Sequence, residues 1–328
     1  MITRRLALAS PLAMLAEPAM GQTPPSPICM VMNSAGASVS VIDMATRQVI
    51  ATEPTYREPS HWVLTPDRQT LYICDASGNA LFAFNPKTGA PRGHVRLADP
   101  YQLGYTPDQK YLVVNALRLN FVDIYDAATL TLAKRFKPGQ WPSHLDFSPD
   151  SRWGFSSLQK SNALFSYDLT TMAPRWKVHI GNTPAGVLWL HGKLIVCIMG
   201  EDCIVEVDPL DGRIIRRQVT GPGAHNVFLD KASNLLYVSN RGPGKTSLSA
   251  LDPVTLKVQR DYDLPGGPDD LQIAPDGKIW IALRYAESVA ILDPVTGDFS
   301  TIPVGRSPHG IYLSTDLGLI GKLTAEIV

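Results

Sequence analysis

Short apolar runs, broken by Gly, Pro, Asp and Asn, follow one another from Ile28 to about residue 315. Positions such as Leu81, Ala83 and Asn85, or Val205 and Val207, alternate as strands do when a sheet is stacked on both faces. One stretch shows the unit. HLDFS follows Pro142 as a first strand, and Pro149-Asp150-Ser151 makes a turn with Pro suited to its second position. WGFSSL is a second strand, Lys160-Ser161-Asn162 a turn, ALFSYD a third strand, Leu169-Thr170-Thr171 a turn, and PRWKVHI an outer strand. The first turn recurs as TPDRQ (65–69), TPDQK (106–110) and APDGK (274–278).

Two series repeat this unit along the chain. An Asp, once an Asn, closes an apolar run at Asp43, Asn85, Asp126, Asp168, Asp208, Asp252 and Asp293, at intervals of 40 to 44 residues. Innermost strands open at Pro59, Pro100, Pro142, Pro184, Pro268 and Pro308, and Gly223 (GAHNVF) fills the gap of two periods. Pro is tolerated at a strand's first residue, where no ladder N–H is needed. A period of 40–45 residues filled with short strands marks a β-propeller with one four-stranded blade per repeat. The expected fold is therefore all-β, a seven-bladed propeller. Strands 28–33 and 39–43 precede any innermost strand, so the C-terminal HGIYLS strand is expected to close the ring beside them in a shared blade, removing exposed sheet edges. The tail 316–328 has no place in this scheme, beyond adding a strand or lying over one face.

The N-terminus reads as an export signal, residues 1–21. Arg4-Arg5 gives a positive start, Leu6 to Ala16 an apolar stretch too short to span a bilayer, and Ala19-Met20-Gly21 a small-x-small cleavage site before Gln22. The arginine pair leaves twin-arginine and ordinary secretion both open. Residues 22–27 form a loose leader, and 28–328 a single propeller domain in the periplasm or outside the cell. The 30 basic and 30 acidic residues cancel without charge runs, which excludes a nucleic-acid surface. A membrane span is not expected, and one chain that closes its own ring is expected to be a monomer. Four cysteines, Cys29, Cys74, Cys197 and Cys203, allow three full pairings. A bridge across the Met199–Asp202 turn is conceivable for Cys197 and Cys203; buried thiols acting as small apolar groups are the other reading. No CxxCH is present for covalent haem.

Candidate chemistry gathers at one face. The Pro-Asp turns and the Asp-closed turns lie together and have a turn explanation. At the opposite face, here the upper, the first residue after each strand opening is Ser60, Tyr101, Ser143, Ala185, Ala224, Asp269 or His309. The second is His61, Gln102, His144, Gly186, His225, Asp270 or Gly310. Four of the seven histidines thus fall around one axis, while His94, His179 and His191 do not. The turns between second and third strands add Asp75, Arg118, Lys160, Glu201, Asp202, Arg241 and Arg284. Histidines in ring register are compatible with buried caps between blades, with a pocket for a polar or anionic small ligand, or with a metal bound by several imidazoles. His61, Gln102, Asp270, His309 and Arg118 are the expected ligand contacts. His61, His144, His225 and His309 are the candidate metal ligands, for a transition metal if any.

The segments DDLQIAPDGKIWIALRYAESVAILDPVTG (269–297) and HWVLTPDRQTLYICDASGNALFAFNPKTG (61–89) resemble the YVTN family of seven-bladed propellers over residues 28 to about 315. That resemblance implies the fold and leaves function open, because the superfamily mixes binding proteins, hydrolases, lyases and cofactor-bearing oxidoreductases. LLYVSNRG (235–242) and HLDFSPD (144–150) resemble strands of the propeller lactonases, and PHGI (308–311) resembles a segment of the streptogramin lyases. The lactonase resemblance implies His144 or His225 as a base and Arg241 with Arg284 as an anion clamp. Three functions follow. The first is an exported propeller that binds a small polar or anionic ligand, or a protein partner, at the upper end of the channel. The second is a lactonase-like hydrolase or lyase, and the third a redox accessory protein holding a metal or a non-covalent cofactor.

Overall fold

The computed structural model describes residues 26–315. The proposed signal, most of the leader and the tail 316–328 lie outside them. Among the described residues there are 28 strands, one 3-10 turn at Met199–Glu201 and no α-helix. They form seven four-stranded antiparallel sheets. Six are built from consecutive strands. In the remaining blade, Pro308–Leu313 pairs with Ile28–Asn33 ahead of Ser38–Asp43 and Gln48–Pro54, so the chain's last strand is the innermost strand of the first blade, as expected. Ile28 N and Ser314 N bond Ser314 Oγ and Ile28 O, each at 2.8 Å, across this closure. Trp62 Nε1 donates to Ile311 O at 2.7 Å and ties the next blade to the closing strand.

The core is the set of interfaces between neighbouring blades. Phe155 and Leu164 of one blade, for example, meet Val187, Val196 and Val205 of the next. Cys197 and Cys203 belong to different interfaces on opposite faces of their blade. The conceivable bridge between them is therefore not made, and all four thiols are free and buried. The recurring Asp is a turn residue. Asp43 Oδ1 accepts from Thr46 N, Asp126 Oδ1 from Thr129 N and Asp252 Oδ1 from Thr255 N, at 2.8, 2.9 and 2.6 Å. Asn85 Oδ1 does the same for Lys87 N at 2.9 Å, which is why Asn substitutes there.

Two features of the innermost strands aim the channel residues. All seven strands carry one extra residue against their neighbours just after their first position, for example where Pro268 faces Leu283 but Leu271 faces Ile281. A bulge breaks the alternation of side chains and re-aims them. It lets consecutive residues, such as Asp269 and Asp270, both reach partners on the neighbouring blade.

The second feature corrects the register read from the sequence. The sixth blade's inner strand begins at Ala224, not Gly223. Gly223 holds φ +70°, matching the left-handed residues Asp99, Trp141, Thr183, Gly267 and Ser307 that precede five of the other six innermost strands. Proline, locked near −65°, cannot occupy that position. Ala224 therefore stands in the proline slot and His225 moves up one place. A slip of one residue lies within the scatter of the period, so spacing alone does not detect it.

Candidate functional site

With the register set, the channel has two tiers. The upper holds Ser60, Tyr101, Ser143, Ala185, His225, Asp269 and His309. The lower holds His61, Gln102, His144, Gly186, Asn226, Asp270 and Gly310. Gly310 is glycine because a Cβ there would lie 2.3 Å from Ser60 O.

Asp269 is the hub of the upper tier. It is fully buried. Its Oδ1 lies 2.7 Å from His225 Nδ1, and its Oδ2 takes Arg241 Nη1 at 2.6 Å and Arg284 Nη1 at 2.9 Å. His309 Nε2 stands 3.7 Å from the same oxygen. Burial would raise the Asp269 carboxyl, but Arg241, His309, His225 and Arg284 outweigh it and hold it well below the usual range. Burial, followed by the Arg241 charge, lowers His225 to about 4, against the pull of Asp269. His309 is likewise held well below 6.5, first by burial. At neutral pH the tier therefore presents an ionised carboxylate and neutral imidazoles. Tyr101, raised to about 12 by burial, keeps its proton.

Four imidazoles enclose the axis. Ring centres are 5.4 Å apart for His61–His144, 5.1 Å for His144–His225, 6.2 Å for His225–His309 and 4.5 Å for His309–His61. Each Nδ1 whose partner is known faces an oxygen. His61 Nδ1 meets Tyr101 O at 2.9 Å, His144 Nδ1 meets Ser143 Oγ at 3.1 Å, and His225 Nδ1 meets Asp269. The Nε2 atoms of His225 and His309 are buried without a hydrogen-bond partner.

Below the ring lies a chamber of about 430 Å³. His61, Gln102, Asn226 and Asp270 line its upper end. Its walls are apolar, including Trp62, Leu103, Leu145, Phe147, Leu271 and Ile311, and it extends to the lower-face turns at Asp230–Ala232 and Ala274–Gly277. Asn226 Nδ2 donates to Asp270 Oδ1 at 2.6 Å, and His61 Nε2 is 3.9 Å from Asp270 Oδ2. Gln102 Oε1 accepts from Leu145 N at 2.7 Å.

The structure thus gathers His61, His144, His225 and His309 into one cluster, with Gln102 and Asp270 at its lower edge. Arg241 and Arg284 reach it, but both spend their charge on Asp269. Arg118 does not join. It bridges Glu58 and Asp99 at the upper rim, at 2.6 and 3.4 Å, with its side chain 45% exposed. Sequence reasoning placed Asp269 on the ring without giving it a role, and it missed Asn226 altogether. The available signal for Asp269 was its standing as the sole carboxylate at the first inward position.

Known structures of the same shape serve varied chemistry. The chain is similar to Kuenenia stuttgartiensis hydrazine synthase, with 21% identity, TM-score 0.68, 79% of this chain and 90% of that one covered. It is similar to the Pseudomonas aeruginosa periplasmic gluconolactonase PpgL, with 18% identity, TM-score 0.71, and 88% and 98% covered. The dihydro-heme d1 dehydrogenase NirN in complex with DHE aligns at 14% identity and TM-score 0.66, with 93% and 78% covered. Such identities carry the fold alone. Among curated protein sequences nothing matches. The YNCE-like beta-propeller family matches residues 4–317, and with seven closed blades carrying the repeat throughout, the chain belongs to that family.

Proposed function

We propose that this propeller is an exported binding protein whose axial chamber takes a small molecule with an apolar body and a polar head. The observation that carries this reading is the convergence of His61, Gln102, Asn226 and Asp270 at one end of an otherwise apolar chamber of about 430 Å³. Volumes of this order with few, placed polar groups are typical of small-ligand sites. The polar head docks below the ring rather than at the upper mouth, and it is neutral or cationic rather than anionic. Asp270 lines the chamber, whereas Arg241 and Arg284 are held by Asp269. A deep axial chamber suits a small molecule better than a protein partner. The hydrolase and lyase readings ask for a base that a substrate reaches, and His144 and His225 are both fully buried.

Export rests on the segment from Arg4 to Gly21. Native mass spectrometry of protein recovered from the periplasm, with the chain starting at Gln22 and running as a monomer, tests both parts. A bound small molecule is expected in the wild type and is expected to be lost in Asp270→Asn or Gln102→Ala. No added mass, together with no stabilisation by any compound in a broad thermal-shift screen, would overturn the binding reading.

A further inference from the structure

We propose that the four ring histidines bind a transition-metal ion at the centre of the channel, with His225 and His309 as its anchoring ligands and Asp269 as the outer carboxylate that orients His225. This site is separate from the chamber reading; the two share only His61.

The spacing of the rings is the first argument. Metal–imidazole nitrogen bonds are about 2.0–2.1 Å, which puts each ring centre about 3.2 Å from the ion. Neighbouring centres of four such rings are then about 4.5 Å apart in a square array and about 5.2 Å apart in a tetrahedral one. The four observed spacings run from 4.5 to 6.2 Å around a closed circuit. The two anchoring histidines, His225 and His309, each place a ring nitrogen within 4.8 Å of the other's, with an Asp269 oxygen within the same distance of both.

The outer contacts are the second argument. Metal-bound histidines almost always give their other ring N–H to a carbonyl, carboxylate or water, which fixes the tautomer. His61 meets a backbone carbonyl and His225 a carboxylate through Nδ1, so each offers Nε2 as the lone-pair nitrogen.

The third argument is cost. A buried nitrogen without a partner is unfavourable, yet His225 Nε2 and His309 Nε2 both stand so. An ion at the centre satisfies both at once. The charge pattern sets the kind of ion. The ring supplies imidazole nitrogens alone, since Asp269 is already held by Arg241 and Arg284. A nitrogen-only set without thiolate suits copper, zinc or nickel rather than calcium or magnesium. The four cysteines lie in the interfaces between blades and take no part.

The test uses the full exported chain, purified without a histidine tag, stripped with chelator and titrated with Cu(II), Zn(II) and Co(II). One ion per chain is expected by elemental analysis. The Cu(II) form should show nitrogen hyperfine structure in its electron paramagnetic resonance spectrum, and the Co(II) form the intense visible bands of four-coordination. His225→Ala should abolish stoichiometric binding, and Asp269→Asn should weaken it by about 10–100-fold, as loss of an outer partner does. His179→Ala, on an outer strand, should bind as the wild type does. If His225→Ala fails to fold, His144→Gln carries the same comparison. Failure of the stripped wild type to bind any of the three ions tightly, or binding by His225→Ala equal to the wild type's, overturns the proposal.

Discussion

Replacing Asp269 with Asn is the sharpest probe of the upper tier. The variant keeps the side chain's shape and removes its charge. In the wild type that charge, with no solvent exposure, answers two guanidinium groups at 2.6 and 2.9 Å and an imidazole at 2.7 Å. Removing one partner of a buried ion pair costs roughly 3–5 kcal/mol, because the survivor stays buried and uncompensated. The side chains of Arg241 and Arg284 keep 13% and 23% exposure and regain some water, so about 2–4 kcal/mol is the expected loss. For roughly 290 folded residues, unfolding entropy near the midpoint is about 0.6 kcal/mol per degree. The melting temperature should therefore fall by about 3–7 °C. Calorimetry on chelator-treated protein reads this without a contribution from metal. Adding Arg241→Gln and Arg284→Gln to Asp269→Asn should recover part of the loss, since no unpaired charge then remains. A loss below about 1 kcal/mol, or a triple variant no better than the single, would refute the view that Asp269 is there to balance the arginines.

Other consequences are simpler to measure. Gly310→Ala places a Cβ 2.3 Å from Ser60 O, so it should cost about 1–3 kcal/mol in a denaturant titration, whereas Gly192→Ala, with no atom within 4 Å of the added carbon, should lose only the backbone strain of its positive φ. Hydrogen bonds from the turn backbone lower the carboxyls of Asp43, Asp126 and Asp252 in the folded chain. Their contribution is therefore complete above the unfolded value of about 3.9 and is lost as pH falls through the lower folded values. Changing all three to Asn should leave neutral stability nearly intact, as Asn85 does naturally, and flatten the acid limb below about pH 4; an unchanged acid limb would contradict this. Thiol titration of unreduced, denatured protein should find all four cysteines free, and a count of two would mean a bridge that the opposite placement of Cys197 and Cys203 forbids.

The blade count, the closing strand and the structural role of the Asp turns were legible because each rests on many repeats of one local rule. The ring of histidines was legible for the same reason, as a departure from the repeat. What the sequence hid was geometry below one residue of resolution. The bulge after each strand opening has no residue signature here, since Ser60-His61, Tyr101-Gln102 and Ala185-Gly186 share no chemistry. Gly223 and Ala224 are both small enough to pass for the missing proline, and choosing between them needed the backbone angle. The pairing of Arg241 and Arg284 with Asp269 was not legible either. Two arginines on adjacent blades suggest an anion from outside until the buried Asp269 between them is seen to supply one.

His309 sits on the closing strand, the last to emerge during synthesis and the last to cross a membrane if the chain is exported. Every other member of the upper cluster is already in place on earlier blades, but the circle of imidazoles stays open until residues 308–313 pair with 28–33. Completion of the imidazole ring and closure of the fold are thus a single event, so the full ring exists only in a chain that extends through the closing strand. A chain cut short before residue 308 is both unsealed and unable to assemble the full ring.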